Sequence, residues 1–335
     1  MKKLFNILVY LTCLTFVFCQ NVTEVDSTSI MSFTDKVFFK FHLDTEIDSY
    51  KATTDNNPDL HINTNNQYKF VISVDYDFFG ASIGFSPKFI PGNNDNDLKG
   101  ESSFSDYSFR FFPGKWIQKI QYKKTLGYYI ENTHDFIPNW IENEDAYIQL
   151  SDFKTTYWGG ATSYIFNPDF SLKNVIYNSE WQRKSSGSFI PSISYGYLRL
   201  SSTSGGVKSY ENNFEVKLSP SYYYTLVVHK NWFTSLEISP AVALRFTKEG
   251  KSNSSTTNTY TRVPFSINGG LQIGYSSEKI IFGAKCNLES NYYNESHQTH
   301  ITNDIIFTTV YLGIRLTPPK AVKKIFDKAH KKTGI

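Results

Sequence analysis

The sequence has almost no cysteine outside its first residues. Of its three cysteines, Cys13 and Cys19 lie in the N-terminal apolar run, which leaves Cys286 alone in the rest of the chain. No intramolecular disulfide can therefore form after that run. A secreted chain without disulfides needs another source of stability, and a closed, fully hydrogen-bonded β-barrel is one.

Long apolar runs are also missing. Beyond the first residues, no segment approaches the ~20 apolar residues that a transmembrane helix needs. The one apolar run, from Leu4 to Cys19, follows two lysines, which is the pattern of a secretory signal peptide over residues 1–19. A lipoprotein signal would need a small residue before the modified cysteine, whereas Phe18 precedes Cys19.

Net charge is low as well. The formal charge is +3, and Lys2 and Lys3 contribute two of these charges, so the chain after the signal peptide is close to neutral. Nucleic-acid binding relies on Lys and Arg side chains that neutralise phosphates. The sequence therefore argues against a nucleic acid as a partner.

Aromatic residues, in contrast, are abundant. The chain has 28 Phe and 23 Tyr but only 2 Met. This composition suits strands whose ends lie at a membrane interface, where amphipathic rings are favoured. It suits an ordinary secreted all-β domain equally well, so composition alone leaves both interpretations open.

A two-residue alternation of apolar and ionic side chains begins at residue 37. Its apolar positions are Val37, Phe39, Phe41, Leu43 and Ile47. Its ionic positions are Lys40, His42, Asp44, Glu46 and Asp48. Successive side chains of a strand point to opposite faces. The stretch therefore predicts a strand with one apolar face and one ionic face.

The apolar faces can turn inward, as in a soluble barrel, or outward to lipid, as in a transmembrane barrel. Alternation such as that between Arg262 and Ser276 exceeds the ~5–6 residues usual in soluble sheets and suits the ~9–11 of a tilted membrane span. Short turns such as residues 113–115 also alternate with long polar loops such as residues 90–103. We therefore predict an all-β fold, a transmembrane antiparallel up-and-down β-barrel over residues 36–317.

The number of strands follows from a count and a rule. The alternating segments number thirteen, but a single-chain bacterial barrel has an even number of strands. We predict about 12 strands, with about 10 or 14 as alternatives, and place the miscounted segment between residues 167 and 220. Pro191, Pro240 and Pro264 fall in predicted strands, where proline removes a ladder donor, so we expect bulges or rim positions there.

Both ends of the chain depart from the strand pattern. Residues 20–35 are predicted as an N-terminal periplasmic segment. Residues 318–335 combine many lysines with apolar residues at helical spacing, which predicts a short basic amphipathic C-terminal helix. The apolar residues of this helix are Val322, Ile325, Phe326 and Ala329. A position on the periplasmic leaflet and a solvated tail both remain open.

Two segments carry a resemblance to a known family. An FN-x-x-FS turn contains Phe166, Asn167, Phe170 and Ser171. A WQ-x-K-S-x-GS segment contains Trp181, Gln182, Lys184, Ser185, Gly187 and Ser188. With the aromatic stretch at residues 221–233, these motifs resemble a bacterial outer-membrane barrel family known from Bacteroidetes and catalogued as domain of unknown function 4421. The family has no established activity, so the resemblance implies no catalytic residue.

Signals for enzymatic or metal chemistry are weak. The G-x-S-x-G elbow of many serine hydrolases is absent from the sequence. His297 and His300 form an H-x-x-H pair in a polar loop, but loop spacing does not fix ligand geometry. Residues 126–152 hold six acidic side chains and no Lys or Arg, which is typical of a solvated loop. We predict no catalytic residue, no metal and no cofactor.

The predicted lumenal face is more informative, because it carries charges of both signs. Its charged residues are Lys40, His42, Asp44, Glu46, Lys69, Asp75, Asp77, Arg110, Glu237, Arg245, Arg262, Lys285 and Arg315. Buried charges must pair, since desolvating one alone is costly. We expect such a network to fill much of the bore, which argues against a wide porin-like channel.

These features together predict an integral protein of the outer membrane of a Gram-negative bacterium, with a narrow solute path through its charged lumen. Two alternatives stay open: an enzyme that acts on envelope lipids, and a structural or surface-interaction barrel. The expected partners are outer-membrane lipids and the barrel-assembly machinery during insertion. The sequence does not predict the oligomeric state.

Overall fold

The computed structural model describes residues 29–45, 49–54, 57–292, 299–302 and 305–333. The predicted signal peptide lies outside these ranges, as do Glu46 and His297. No helix within the described ranges is both long enough and apolar enough to cross a membrane.

Most of the described chain forms strands. The strands are β1 (Ile30–Met31), β2 (Val37–Asp44), β3 (Tyr50–Thr54), β4 (Asn57–Asn63), β5 (Lys69–Tyr76), β6 (Phe79–Phe85), β7 (Ser103–Phe111), β8 (Trp116–Ile130), β9 (Ile148–Tyr164), β10 (Trp181–Gln182), β11 (Ser186–Ser204), β12 (Val207–Val228), β13 (Trp232–Lys251), β14 (Thr257–Arg262), β15 (Phe265–Ser276), β16 (Ile280–Tyr292), β17 (Thr299–Thr302) and β18 (Ile305–Leu316). The helices are α1 (Asn96–Lys99), α2 (Leu172–Ile176) and α3 (Lys320–Thr333), with a 3-10 turn at Thr133–Asp135.

Twelve of these strands close into one antiparallel barrel. Around the circumference they run β2, β5, β6, β7, β8, β9, β11, β12, β13, β15, β16 and β18. The ring closes because β18 pairs with β2 and β8 pairs with β9, so every strand of the ring has two neighbours. The predicted antiparallel barrel of about 12 strands is confirmed.

The two ends of the barrel differ in their connections. Four short connections lie at one end, which we call the turn end: residues 77–78, 112–115, 229–231 and 277–279. The opposite loop end carries the longer connections, including α1 and the small strands β3, β4 and β17. Asp77 has a positive φ of 56° in the first of these turns, a conformation that Asp tolerates better than most residues do.

One long polar stretch forms strands and not a loop. Residues 201–213 are polar, as a long loop would be, but β11 and β12 continue through them to a tight turn at Gly205 and Gly206. Both glycines have positive φ, 55° and 77°, as two-residue hairpins that follow the strand twist require. Polarity here reflects strands that extend beyond the apolar band of the barrel wall.

The predicted facing of side chains is visible in β15. Phe265 and Ile273 are 56% and 55% exposed on the outer surface, whereas Gln272 is 1% exposed inside. Large apolar side chains cover the outside of the other barrel strands in the same way. A surface of this kind is stable in lipid, where it satisfies the apolar requirement of a transmembrane barrel.

The prolines of the wall differ in their effect on strand pairing. Pro191 lies directly opposite Pro220 in the register of β11 and β12. The β12 and β13 register has no assigned pairs between Leu218 and Tyr222, a gap that contains Pro220. Pro264 lies between β14 and β15. Because proline lacks the N–H donor, the β12 and β13 ladder is interrupted at Pro220 and Pro240, whereas the β11 and β12 register continues without a shift through Pro191.

The predicted C-terminal helix is present as α3 and packs at the turn end. The Phe326 ring lies 4.7 Å from the Tyr76 ring and 5.3 Å from the Phe78 ring, measured between centroids. Tyr76 ends β5, and Phe78 belongs to the adjacent turn. Ile325, the neighbouring apolar residue, remains 65% exposed, whereas Val322, Phe326 and Ala329 are half-buried, so the helix turns this second face towards the barrel.

Candidate functional site

The connection between β9 and β11 does not form a turn but folds into the barrel at its turn end. We call residues 165–185 the plug. The plug contains α2 and β10, and β10 pairs with β1, so that Met31 lies opposite Trp181. Sequence analysis placed the miscounted strand between residues 167 and 220, and the plug occupies the first part of this interval.

An apolar cluster fixes the plug to the inner wall. Its buried residues are Phe112, Ile117, Ile165, Phe170, Leu172, Val175, Tyr177, Ile190 and Tyr223. Phe170 and Leu172 are each 1% exposed. Five members of the cluster belong to the plug and four to the wall or its turns, so removing the plug from the barrel would expose apolar surface on both.

Gln182 holds the plug in its folded form. Its Oε1 accepts a hydrogen bond from the Ser171 backbone N–H at 2.7 Å. Its Nε2 donates to the backbone carbonyls of Asp169 at 2.7 Å, Lys184 at 2.9 Å and Ser29 at 3.2 Å. One buried side chain thus joins the start of the plug, its end and the N-terminal segment.

Local sequence rules shape the turn of α2. Ser171 is the N-cap, and its Oγ accepts the backbone N–H of Asn174 at 2.9 Å. Asn178 follows the helix with a φ of +61°, a left-handed conformation that Asn tolerates. This geometry directs the Asn178 side chain to the wall, where its Oδ1 accepts a hydrogen bond from Lys40 Nζ at 3.1 Å.

A buried ion pair in the wall also contacts the plug. Arg110 Nη2 lies 2.9 Å from Asp75 Oδ1, and both side chains are 5% exposed. The Arg110 guanidinium also lies over the Tyr177 ring, 4.9 Å from its centroid. Gly80 makes the pair possible, because a Cβ at that position would lie 1.9 Å from Asp75 Oδ1.

Arg315 of β18 links the plug to the N-terminal segment. Its guanidinium lies 4.1 Å from the centroid of the Phe33 ring, and its Nη2 donates to the backbone carbonyl of Glu180 at 3.4 Å. Glu180 in turn forms an ion pair with Lys173 at 3.2 Å. The plug is therefore tied to the wall by charged and aromatic contacts as well as by its apolar cluster.

Three cavities follow one another along the lumen. The outer cavity, of about 520 Å³, lies at the loop end and is lined by Leu200 and Glu211. The middle cavity, of about 360 Å³, is lined by Leu198 and Asn213, two residues further along the same strands. The inner cavity, of about 410 Å³, shares Lys119 with the middle one.

The plug is the floor of the inner cavity. Leu172, Ile176 and Tyr177 line this cavity from the plug, and Glu237 and Lys285 line it from the wall. The lumen thus contains open space in its outer, middle and inner parts and ends on the plug towards the turn end.

Two ion pairs join strands on the inner face of the wall, on the loop-end side of the plug. Lys285 Nζ lies 2.9 Å from Glu237 Oε2, and Glu237 Oε1 accepts a hydrogen bond from the Tyr223 hydroxyl at 2.9 Å. Arg245 donates from Nε to Glu215 Oε2 at 2.7 Å. Each carboxylate therefore has a cation on the neighbouring strand or the strand beyond it, as the cost of desolvation requires.

The structure brings many of the sequence-predicted lumenal residues onto the inner face of the wall. These are Lys40, His42, Asp44, Lys69, Asp75, Arg110, Glu237, Arg245, Lys285 and Arg315. Asp77 is instead in the turn between β5 and β6, because the strand pattern ends one residue earlier than the sequence suggests. Arg262 ends β14 near the loop end.

Sequence reasoning missed several residues of this site. They are Lys119, Tyr177, Asn178, Gln182, Glu215 and Lys217. Lys119 alternates with Trp116 and Ile120 in a way that could have revealed its inward direction. Nothing in the local pattern marks the plug residues, since their partners lie on distant strands. Within the described residues, no group of three or more His, Cys, Asp or Glu side chains is placed to hold a metal ion.

Comparison with known proteins gives a family match and a set of solved structures of similar fold. A family model described as "Domain of unknown function (DUF4421)" matches residues 24–315. No curated protein matches the sequence significantly. The translocator domain of the autotransporter NalP from Neisseria meningitidis has a TM-score of 0.39 at 9% identity, covering 92% of this chain and 93% of that one.

Two further solved structures are similar to the same degree. The outer membrane protease OmpT from Escherichia coli has a TM-score of 0.38 at 7% identity, covering 88% of this chain and 100% of that one. An outer membrane channel from Pseudomonas putida F1 has a TM-score of 0.38 at 9% identity, with the same coverage of 88% and 100%. These similarities concern the fold, and no function is transferred from them.

Proposed function

The chain belongs to the DUF4421 family, whose model spans residues 24–315, and we propose that it is an outer-membrane protein whose lumen is a solute path gated by the plug. In this proposal the turn end faces the periplasm and the loop end faces the outside, as in other outer-membrane barrels. The observation that carries the proposal is the series of three lumenal cavities that ends on the plug.

A gate must close the path and still be able to move. The apolar cluster and the hydrogen bonds of Gln182 support closure. Movement is supported by the chemistry of the wall contacts, because the hydrogen bond between Lys40 and Asn178 and the contact between Arg110 and Tyr177 can be exchanged for water when the plug shifts. A permanently open, wide pore is not expected from this arrangement.

The path itself is polar and lined by paired charges. Ion pairs such as that between Lys285 and Glu237 allow charged side chains to line the path, because pairing offsets the cost of desolvating each charge. A lumen of this kind favours small polar solutes over lipids. This property supports the solute path over the alternative of an enzyme acting on envelope lipids.

Planar-bilayer conductance tests the proposal. The purified, refolded wild type should conduct little, whereas a variant with a loosened plug, Tyr177→Ala with Gln182→Ala, should conduct more and show longer openings. The matched control replaces a tyrosine and an amide on the outer face of β11 and β12, Tyr197→Ala with Asn212→Ala, whose side chains hydrogen-bond to each other at 2.9 Å, and it should behave as the wild type.

Folding of each variant is checked by heat-modifiable migration on gels, since a closed barrel resists unfolding in detergent. A loosened-plug variant that is folded but conducts no more than the wild type contradicts the gated path. Analysis of envelope lipids in a deletion strain would then test the enzymatic alternative, and an unchanged lipid profile would favour a structural role.

A further inference from the structure

We infer that α3 binds acidic phospholipids of the membrane leaflet at the turn end, with its lysines against the lipid phosphates. In the orientation proposed above, this is the periplasmic leaflet. The inference requires a barrel that spans a membrane, but it does not depend on the plug or on the lumenal cavities. The sequence alone leaves a leaflet position and a solvated tail open, and the contacts and charge of α3 favour the first.

The helix packs against the outer surface of the barrel wall. The Phe326 ring contacts Tyr76, which ends β5. Tyr76 is on the outer face of this strand, because it has the same parity as Ile72, which is 47% exposed there. Tyr76 itself is only 8% exposed. The helix therefore covers part of the lipid-facing surface near the end of β5.

This contact lies at the same end of the wall as several exposed aromatic side chains. Trp116 and Trp232 are the first residues of β8 and β13 at the turn end, and they are 48% and 47% exposed on the outside. Aromatic residues of this kind mark the boundary between hydrocarbon and headgroups. From Leu316, the last residue of β18, to Lys320, the first of α3, the chain can span at most about 14 Å. The helix is thus kept close to the headgroups.

The lysines of α3 form a face directed away from the wall. An α-helix turns by about 100° per residue, so residues 320, 324, 328 and 331 lie on one side and Val322, Phe326 and Ala329 on the other. The second group is half-buried against the barrel. The first group is exposed, and we call it the lysine face: Lys320, Lys324, Lys328 and Lys331.

The lysine face keeps an excess of positive charge. None of its four lysines forms an ion pair with a residue that the structure describes. Asp327 is the one acidic residue of α3, and Asp35 and Asp77 act electrostatically with it on Tyr76 beneath the helix. Even with all three carboxylates counted against the six lysines of α3, positive charge remains.

The positive charge of the whole chain is concentrated in this helix. Lys2, Lys3 and the net charge of α3 together exceed the formal charge of +3, so the remaining residues carry a net negative charge. Clusters of about four to eight Lys or Arg side chains beside a membrane span attract acidic headgroups. Ammonium groups also form strong charge-assisted contacts with phosphate oxygens. An acidic phospholipid is therefore the partner that fits the lysine face.

Lipid-specific quenching tests the inference in the full-length protein. Ile325, which is 65% exposed beside the lysine face, is changed by Ile325→Cys in a Cys286→Ser background and labelled with an uncharged fluorescent maleimide. The protein is reconstituted in vesicles of equal parts phosphatidylcholine and phosphatidylglycerol, with a nitroxide on the same acyl carbon of either one lipid or the other. We expect the nitroxide on phosphatidylglycerol to quench at least about twice as strongly, and about 0.5 M KCl to reduce the difference.

Two triple variants provide the controls. The first is Lys324→Gln, Lys328→Gln and Lys331→Gln, on the lysine face. The second is Lys208→Gln, Lys248→Gln and Lys251→Gln, exposed at the loop end. The first should lose the preference for phosphatidylglycerol, because Gln keeps the helix propensity of Lys but not its charge. The second should keep it. Heat-modifiable migration checks that each variant is folded.

The possible results separate a lipid-bound helix from a solvated one. No quenching by either lipid would describe a solvated tail and overturn the inference. Equal quenching by the two lipids, or stronger quenching by phosphatidylcholine, would mean that the helix lies near lipid without recognising acidic headgroups, and this result also overturns it. A preference for phosphatidylglycerol that is unchanged by loss of the three α3 lysines would reject the lysine face as its cause.

Discussion

Arg110 joins the wall of the barrel to the plug. Its Nη2 lies 2.9 Å from Asp75 Oδ1 on β5, and its guanidinium lies 4.9 Å from the centroid of the Tyr177 ring in the plug. The two contacts are linked, because Asp75 holds the guanidinium in the position from which it covers the ring. A change in this pair is therefore expected to affect both the wall and the plug.

Arg110→Ala should destabilise the folded barrel strongly. It leaves the Asp75 carboxylate buried without its cation, for which the typical cost is about 3–5 kcal/mol. The free energy of unfolding, measured by denaturant titration in lipid vesicles, provides the test. Arg199→Ala is the control, since Arg199 is exposed on the outer face and should change stability by about 0.5 kcal/mol or less. Equal effects of the two substitutions would show that the ion pair does not stabilise the fold.

Gly80→Ala should disrupt the same pair without removing a charge. A Cβ there would lie 1.9 Å from Asp75 Oδ1 and 2.8 Å from Arg110 Nε, so the two side chains must separate. We expect a loss of about 2 kcal/mol or more in the same titration. Gly269→Ala is the matched control, because the nearest atom to its Cβ would be 3.7 Å away, and it should change stability by about 1 kcal/mol or less. A Gly80→Ala protein as stable as the control would contradict this geometry.

The barrel wall could be predicted from sequence because its signal is local. In β15, the alternation of Phe265, Ile267, Leu271 and Ile273 with polar residues fixes both the strand and its outward face. The family resemblance was also recognisable from the motifs around Asn167 and Gln182, and the match over residues 24–315 confirms it. Most of these motif residues lie in the plug, and only Gly187 and Ser188 belong to a wall strand, β11.

The plug could not be predicted because its contacts are between distant parts of the chain. Gln182 bonds to Ser29, and Lys40 bonds to Asn178, so neither partner is visible in a sequence window. The buried apolar residues of the plug, such as Ile165, Phe170 and Val175, follow no two-residue period. The same limit applies to the charges: the inward direction of Arg315 follows from alternation, but its contact with Phe33 depends on the closed fold.

The attachment of the C-terminal helix gives a further prediction. Phe326→Ala removes both ring contacts, to Tyr76 and Phe78, each of a kind worth about 0.5–1.5 kcal/mol. Amide hydrogen exchange within α3 should accelerate by about tenfold, while exchange in the barrel strands stays unchanged. Ile325→Ala is the control, since this side chain is 65% exposed and makes little contact with the barrel. Equal acceleration in both variants would mean that Phe326 does not hold the helix.

The facing of β15 provides a test of the membrane itself. Phe265 is 56% exposed on the outer surface, and Ser266 is the next residue, on the lumenal side of the strand. Phe265→Arg places a charge against lipid, which costs about 2–4 kcal/mol near the bilayer midplane and less near its edges. Ser266→Arg should perturb assembly less, because the polar lumen can hydrate or pair the new charge.

Cysteine labelling in liposomes separates the two faces directly. Single cysteines at residues 265 and 266, in a Cys286→Ser background because Cys286 is exposed, are modified with a fluorescent maleimide. A lipid-confined quencher should reduce the fluorescence at residue 265 and leave that at residue 266 unchanged. In a soluble barrel the apolar face would form the core, and neither position would respond to the quencher. Quenching at residue 266 alone would mean that the polar face of β15 contacts lipid. This result would contradict the structure, in which Gln272, on the same face of the strand, is buried inside the barrel.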